Sequence, residues 1–345
     1  MPAKLPLRNV WLPRIALGLA AMAATIALGP RNRFGTHKPA PRAAPPEHPG
    51  ELDDWLATQE SAIPGVRPDA AKGIVWATAE KKPTPVSIVY LHGFSATRQE
   101  MAPMPDRIAD ALGANLYYAR LSGHGVPRDA MGQVTVQEWL ADATEALTIG
   151  RILGEKVVVI GCSTGATLAT WLGLQEAGKA IAALVFISPN FGPFDSKAEV
   201  VNWPWGRQLV RSVQGSYRKK PSATQAERDH WTTCYPTKAI FPMMALVKEV
   251  RNADLGQLKM PTLMLYSEGD QIISPKRVRE SFARFGSPTK TLESVRYSTS
   301  ANQHVLAGAI KSPEATEPMA KFITDWLQAL PAKSFFSPFN QEPLS

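Results

Sequence analysis

Lys156-Val157-Val158-Val159-Ile160-Gly161-Cys162-Ser163-Thr164-Gly165-Ala166 is the stretch that decides the fold. Four consecutive β-branched residues, Val157 to Ile160, read as a strand buried on both faces, which is what the centre of a parallel sheet requires. The following Ala166-Thr167-Leu168-Ala169-Thr170-Trp171-Leu172 carries small residues first and then apolar ones at helical spacing. Between them, Gly161-Cys162-Ser163-Thr164-Gly165 reads as a nucleophile elbow, a strained strand-to-helix turn that exposes a serine hydroxyl at the top of the sheet. The flanking glycines are expected because a Cβ would clash where strand and helix pass closely.

The same alternation runs through the rest of the chain. Pro85 to Leu91, Ala114 to Ala119, Ile181 to Ser188, Thr262 to Ser267 and Thr291 to Tyr297 read as strands. Helices are expected at Glu100 to Leu112, Val136 to Leu153 and Glu314 to Leu330. Strands and helices alternating at this spacing predict an α/β fold, a doubly wound and mostly parallel sheet covered on both faces. The pattern breaks between Phe191 and Leu255, where Trp203-Pro204-Trp205, Trp231 and Ile240 to Val247 occur without a strong buried strand. That segment is read as an inserted, mainly helical lid, which would exclude water and supply apolar walls.

The chain has 345 residues, 44% of them hydrophobic, and a formal charge of +8. Seven Lys and Arg and no acid fall in residues 1–42, leaving 31 basic against 30 acidic residues in the body. A near-neutral body without a basic stripe argues against a nucleic-acid partner. The basic residues flank an uncharged apolar run, Ile15 to Gly29. Residues 1–29 are therefore expected to be a signal peptide or a membrane anchor, with basic residues on both sides and no orientation set by charge. Six prolines between Pro30 and Gly50 make residues 30–50 an extended linker without a core of its own. The core is expected at 51–190 and 256–332, the lid at 191–255 and a tail at 333–345. Cys162 and Cys234, the only cysteines, predict neither a disulfide nor a zinc site.

A serine needs a base, and the base needs a group that fixes its tautomer. His37 and His48 fall in the linker. His304 follows the last expected strand and precedes the terminal helix, at the same edge of the sheet as the elbow, and is taken as the general base. Asp270, after the penultimate strand in Glu268-Gly269-Asp270, is taken as its partner ahead of Glu268, Glu293 and Asp254. The order Ser163, Asp270, His304 suits this architecture. Backbone N–H groups of Thr164, at the helix start, and of Phe94, after His92-Gly93, are the expected oxyanion donors. His92 and His124 are read as loop organisers, His230 as a surface residue and Cys162 as a packing residue pointing away from the cleft.

These motifs, with Leu91-His92-Gly93-Phe94, Leu121-Ser122-Gly123-His124-Gly125 and Pro275, resemble the α/β-hydrolase superfamily over roughly Val86 to Leu330. Within it the chain is similar to capped serine esterases and the monoacylglycerol-lipase-like group. Cys162 and Ala166 depart from that group's commoner residues and leave the chemistry intact. The resemblance implies hydrolysis of carboxylic esters with an apolar acyl or alcohol part, and no cofactor or metal. Thioesterase, peptidase or acyltransferase activity would use the same residues, and a non-catalytic, membrane-tethered binding protein is the alternative of a different class.

Overall fold

The structure, a computed structural model, describes residues 11–222 and 224–331; the first ten residues of the expected leader and the tail at 333–345 lie outside them. In chain order, α1 (Trp11–Ala27), α2 (Leu52–Ser61), β1 (Gly73–Val75), β2 (Thr84–Leu91), α3 (Met104–Leu112) and β3 (Asn115–Tyr118) come first. They are followed by α4 (Val136–Leu153), β4 (Gly154–Cys162), α5 (Thr164–Gly173) and β5 (Ile181–Ile187). An insertion holds α6 (Gly206–Gln214), β6 (Tyr217–Lys219), α7 (Gln225–His230) and β7 (Cys234–Pro236). The chain closes with α8 (Ile240–Asn252), β8 (Thr262–Tyr266), α9 (Pro275–Arg284), β9 (Lys290–Ser294) and α10 (Pro313–Gln328).

Seven strands form one sheet in the order β1-β3-β2-β4-β5-β8-β9. All neighbours are parallel except β1, which pairs antiparallel with β3 at the edge. From β2 the chain first builds outward to β3, then returns to place β4 on the other side. Loops at the carboxyl ends of β2 and β4 therefore diverge, opening the crevice at which ligands bind in open α/β sheets. Tyr90 and Leu91 pair with Ile160 and Gly161, so the end of β2 lies beside the elbow.

Alternation along β4 assigns its side chains to two cores. Val157 and Val159 pack with Trp139, Leu147, Leu168 and Phe186 under α4 and α5. Val158, Ile160 and Cys162 pack with Met104, Ile108, Met319 and Ile323 under α3 and α10. A strand apolar at every position is thus explained by two covered faces. At the start of α4, the Thr135 side chain accepts the Glu138 N–H while Glu138 accepts the Thr135 N–H, a capping box.

The insertion has its own small core of Val201, Val210, Tyr235, Ala239 and Phe241, shared with Met131 of the body. It is not helical alone, since β6 and β7 pair antiparallel. The expected lid boundary at 255 also shifts. Ile240, Phe241 and Met244 at the start of α8 belong to the insertion's core, whereas Ala245, Leu246 and Val250 are buried in the main core, so the chain rejoins the body within α8.

No helix among the described residues is long and apolar enough to cross a membrane. Helix α1 has 17 residues, roughly 25 Å against a hydrocarbon core of about 30 Å. Its Ile15, Leu17, Leu19, Met22 and Ile26 are all exposed. Beyond it, the proline-rich segment has no helix or strand before Pro49 but lies against the body. Phe34 joins the main core, Asn32 Nδ2 donates to the Phe241 carbonyl at 2.8 Å, and Arg42 pairs with Asp142 at 2.9 Å.

Candidate active site

Ser163 sits at φ 52°, ψ −113°, the strained backbone expected of an elbow. Its N–H donates to the Ile187 carbonyl at 2.9 Å, and its carbonyl accepts from Ala166 and Thr167 in the first turn of α5. A Cβ on Gly165 would lie 1.9 Å from the Leu91 carbonyl oxygen, and one on Gly161 would lie 2.6 Å from the Ala166 backbone. Both glycines are required by close backbone approach. The serine is 7% exposed and its neighbour Cys162 fully buried. Burial pushes the Cys162 thiol well above its ordinary pKa, which leaves no thiolate to compete as a nucleophile.

His304 lies between Ser163 and Asp270. Its Nε2 is 3.0 Å from Ser163 Oγ and its Nδ1 is 2.8 Å from Asp270 Oδ2. An ionised carboxylate only accepts hydrogen bonds, so Nδ1 carries the proton and Nε2 is free to take one from the serine. Asp270 is 0% exposed. Its Oδ1 accepts the N–H groups of Ile272 and Ile273 at 2.7 and 2.9 Å, which aims the other oxygen at the imidazole. Glu268 is turned elsewhere: it accepts from the Tyr266 hydroxyl at 2.6 Å and pairs with Arg279 on the surface.

The Phe94 and Thr164 N–H groups have no acceptor among the described residues, and the buried Thr164 hydroxyl is likewise unpartnered. They belong to the two loops that flank Ser163, where donors to a developing oxyanion are needed. His92 locks the first of these loops. Its Nδ1 donates to the Gly93 carbonyl at 2.9 Å and its Nε2 accepts the Leu121 N–H at 3.0 Å. Burial lowers its pKa to about 4, so it stays neutral. His124 is buried with Nδ1 3.1 Å from the Ser122 carbonyl, and burial holds its pKa well below the ordinary value. The Phe94 ring meets His124, Trp139 and Tyr235 edge-on, with centroids 5.8, 6.1 and 5.3 Å away, building an apolar wall beside the loop. His230 pairs with Asp69 at 2.7 Å.

Three residues that no motif singled out also reach the site. Ser188 at the end of β5 donates to the His304 carbonyl at 2.6 Å. Lys220, from the insertion, donates to Ser95 Oγ at 3.2 Å and lies over the Phe94 and Tyr235 rings. Its desolvation there lowers its pKa to about 8. Glu100 lies beneath the Gly93-Phe94 turn. Only Ser188 left a trace in the sequence, as the last residue of a strand ending at the reactive edge. Among the described residues, no group of three or more His, Cys, Asp or Glu is placed to hold a metal ion.

A sheet with this topology and this loop chemistry defines an α/β hydrolase. Residues 83–297 match Hydrolase_4, the family described as serine aminopeptidase, S33, and the chain belongs to that family. It is similar to the thermostable monoacylglycerol lipase of Bacillus sp. (strain H-257), at 26% identity over 216 residues that cover 62% of this chain and 82% of that one. Among solved structures, it resembles a metagenome-derived lipolytic enzyme described with LipS and LipT (TM-score 0.63, 18% identity, 76% of this chain and 99% of that one). The monoglyceride lipase of Saccharomyces cerevisiae is also similar (TM-score 0.57, 13% identity, 77% of this chain and 92% of that one). At such identities the structural likeness is one of fold. The family and the curated relative make this protein a serine hydrolase of the lipase and esterase kind.

Proposed function

We propose that this protein hydrolyses monoacylglycerol-like carboxylic esters through an acyl-enzyme on Ser163. The observation that carries the reading is the hydrogen-bonded series Ser163, His304, Asp270 at the point where the strand order reverses. Ser163 Oγ attacks the ester carbonyl carbon while its proton passes to His304 Nε2. Asp270 holds the imidazolium, and the N–H groups of Phe94 and Thr164 hold the oxyanion. As the oxyanion collapses, the carbon–oxygen bond to the alcohol breaks and the imidazolium gives its proton to the leaving alkoxide. Water then attacks the acyl carbon, His304 takes its proton and returns it to Ser163, and the carboxylic acid departs.

The partly exposed Phe94 ring, backed by the buried Trp139 and Tyr235, offers an apolar surface that suits an acyl chain. The insertion is assigned the role of a lid over this wall, and its Lys220 and Thr232 both bond to Ser95. The family's peptidase description supports a second reading on the same residues. An aminopeptidase, however, must seat a substrate ammonium, and the insertion brings a cation, Lys220, to this loop. The exposed apolar α1, fastened by Trp205 Nε1 donating to the Thr25 carbonyl at 2.9 Å, is assigned to a lipid surface.

Turnover of monoacylglycerols and p-nitrophenyl esters, together with fluorophosphonate labelling, is expected for the wild type and absent in Ser163→Ala. Preference for aminoacyl anilides, thioesters or transfer to an acceptor alcohol would favour the peptidase, thioesterase or acyltransferase reading instead. An unlabelled, inactive wild type would leave only a binding role. Vesicle flotation should require residues 1–29, and equal flotation without them would refute the lipid assignment of α1.

A further inference from the structure

Glu100 closes the short turn Arg98–Glu100 after the oxyanion loop, and its carboxyl group returns beneath that loop. The residue is 2% exposed and forms no ion pair among the described residues. Its Oε1 accepts two hydrogen bonds, from the Gly93 N–H at 2.5 Å and from the Tyr90 hydroxyl at 2.9 Å. A Cβ built on Gly93 would lie 2.9 Å from Glu100 Oε2 and 3.4 Å from Ser163 Cβ. One glycine therefore separates this carboxyl group from the nucleophile.

Burying an acid without a cation is costly, and burial raises the Glu100 pKa to about 7 against the pull of its hydrogen bonds. An apolar side chain would fill the space at less cost, so packing does not account for it. The peptide whose N–H the carboxyl accepts is the one immediately before the peptide that presents the Phe94 N–H. Fixing the first restricts rotation at Gly93, the one residue between them and the least constrained residue type.

We propose that Glu100 is a positioning residue of the oxyanion hole: by accepting the Gly93 N–H, it aims the Phe94 N–H at the carbonyl oxygen of a substrate attacked by Ser163. This rests on the ester-hydrolase reading. No bond forms or breaks at Glu100. Four groups face its carboxyl: Tyr90 from β2, Cys162 from β4, His304 from the loop before α10, and Lys220 from the insertion. Burial pushes Tyr90 and Cys162 well above their ordinary values, so both stay neutral. The charge of Glu100 is therefore felt by His304 and Lys220.

Two variants separate acceptor geometry from charge. Glu100→Gln keeps an oxygen at the same reach, whereas Glu100→Asp keeps the acid and withdraws it by one methylene. Expected for Glu100→Asp is a loss of kcat of about 10- to 100-fold with KM changed less than about twofold, since the oxyanion exists only beyond the ground state. A trifluoromethyl ketone, which forms a tetrahedral adduct on serine, should bind it more weakly by the same factor. Glu100→Gln should lose no more than about threefold in kcat. Thermal melts supply the folded fraction for each variant. Full kcat per folded Glu100→Asp molecule, or a Gln variant as impaired as the Asp variant, overturns the proposal. A wild type inactive on esters would instead strike at the function reading on which it stands.

Discussion

The two flanks of the oxyanion loop are held by different physics. On the core flank, Ser163, Gly165, His92, Glu100 and Asp270 are bound by backbone contacts and buried hydrogen bonds. On the insertion flank, Lys220 and Thr232 bond to Ser95 from a segment whose Phe194, Trp203, Leu209 and Val213 lie exposed. Rigid placement is needed where charge develops during the reaction, because a donor that must reorganise loses much of its advantage. Mobility is acceptable where a substrate must enter. The difference teaches that the groups assigned to the reaction are held by the sheet, whereas the insertion, proposed as the lid, reaches the loop through two contacts.

Breaking the core flank at its centre should give the largest effect. His304→Ala is expected to lower kcat on a p-nitrophenyl ester by about 10⁴-fold or more with an unchanged thermal melt. Retention of turnover would show that another base serves Ser163. Gly165→Ala should come next, acting on folding: the added carbon meets the Leu91 carbonyl, which has no side-chain freedom with which to move aside. A cost of about 3 kcal/mol or more is expected, read as a lowered denaturation midpoint.

A pH titration sharpens the same contrast. His92 is held neutral with its pKa near 4 against an ordinary 6.5. Its lowered value means that the unfolded chain binds the proton more readily, so stability falls as pH drops from about 6.5 through 4. The loss should be on the order of 3 kcal/mol once the histidine is charged, and smaller in His92→Asn. Identical acid-unfolding curves for the two proteins would contradict this account.

The smallest effect belongs to the insertion. Lys220→Met should change kcat/KM by less than about tenfold, since its single contact to Ser95 is one of two from that side. The wild-type lysine loses its charge as pH rises through about 8, so the difference from the variant should narrow above that value. A loss comparable to that of His304→Ala would place the insertion inside the reaction machinery and erase the contrast.

The elbow was legible because its requirements are local. Four β-branched residues, two glycines and a serine specify a buried strand, a close crossing and a strained turn that carries the hydroxyl, within ten positions. Asp270 and His304 were legible from chain order, each following a strand at the reactive edge. Glu100 and Lys220 were not, since nothing adjacent to either residue marks it. Glu100 matters only because a turn folds it back under Gly93, and Lys220 only because β6 carries it across to Ser95. The boundary at 255 misled for a related reason: the apolar residues of α8 suit a lid core and a sheet-covering helix equally well until their partners in α5 are known. Edge strand β1 escaped notice because three half-buried residues carry no periodic signal.

By itself the sequence determined the class of fold, the nucleophile's turn and the loops that face it, because periodicity and steric limits act between near neighbours in the chain. Only the tertiary structure decided which acid faces the imidazole, which buried carboxyl supports the oxyanion loop, and where the insertion ends. Asp270 and His304 stand 34 residues apart and meet at 2.8 Å only when the sheet's order is set, and Glu100 reaches Gly93, seven residues away, only through the turn that folds it back.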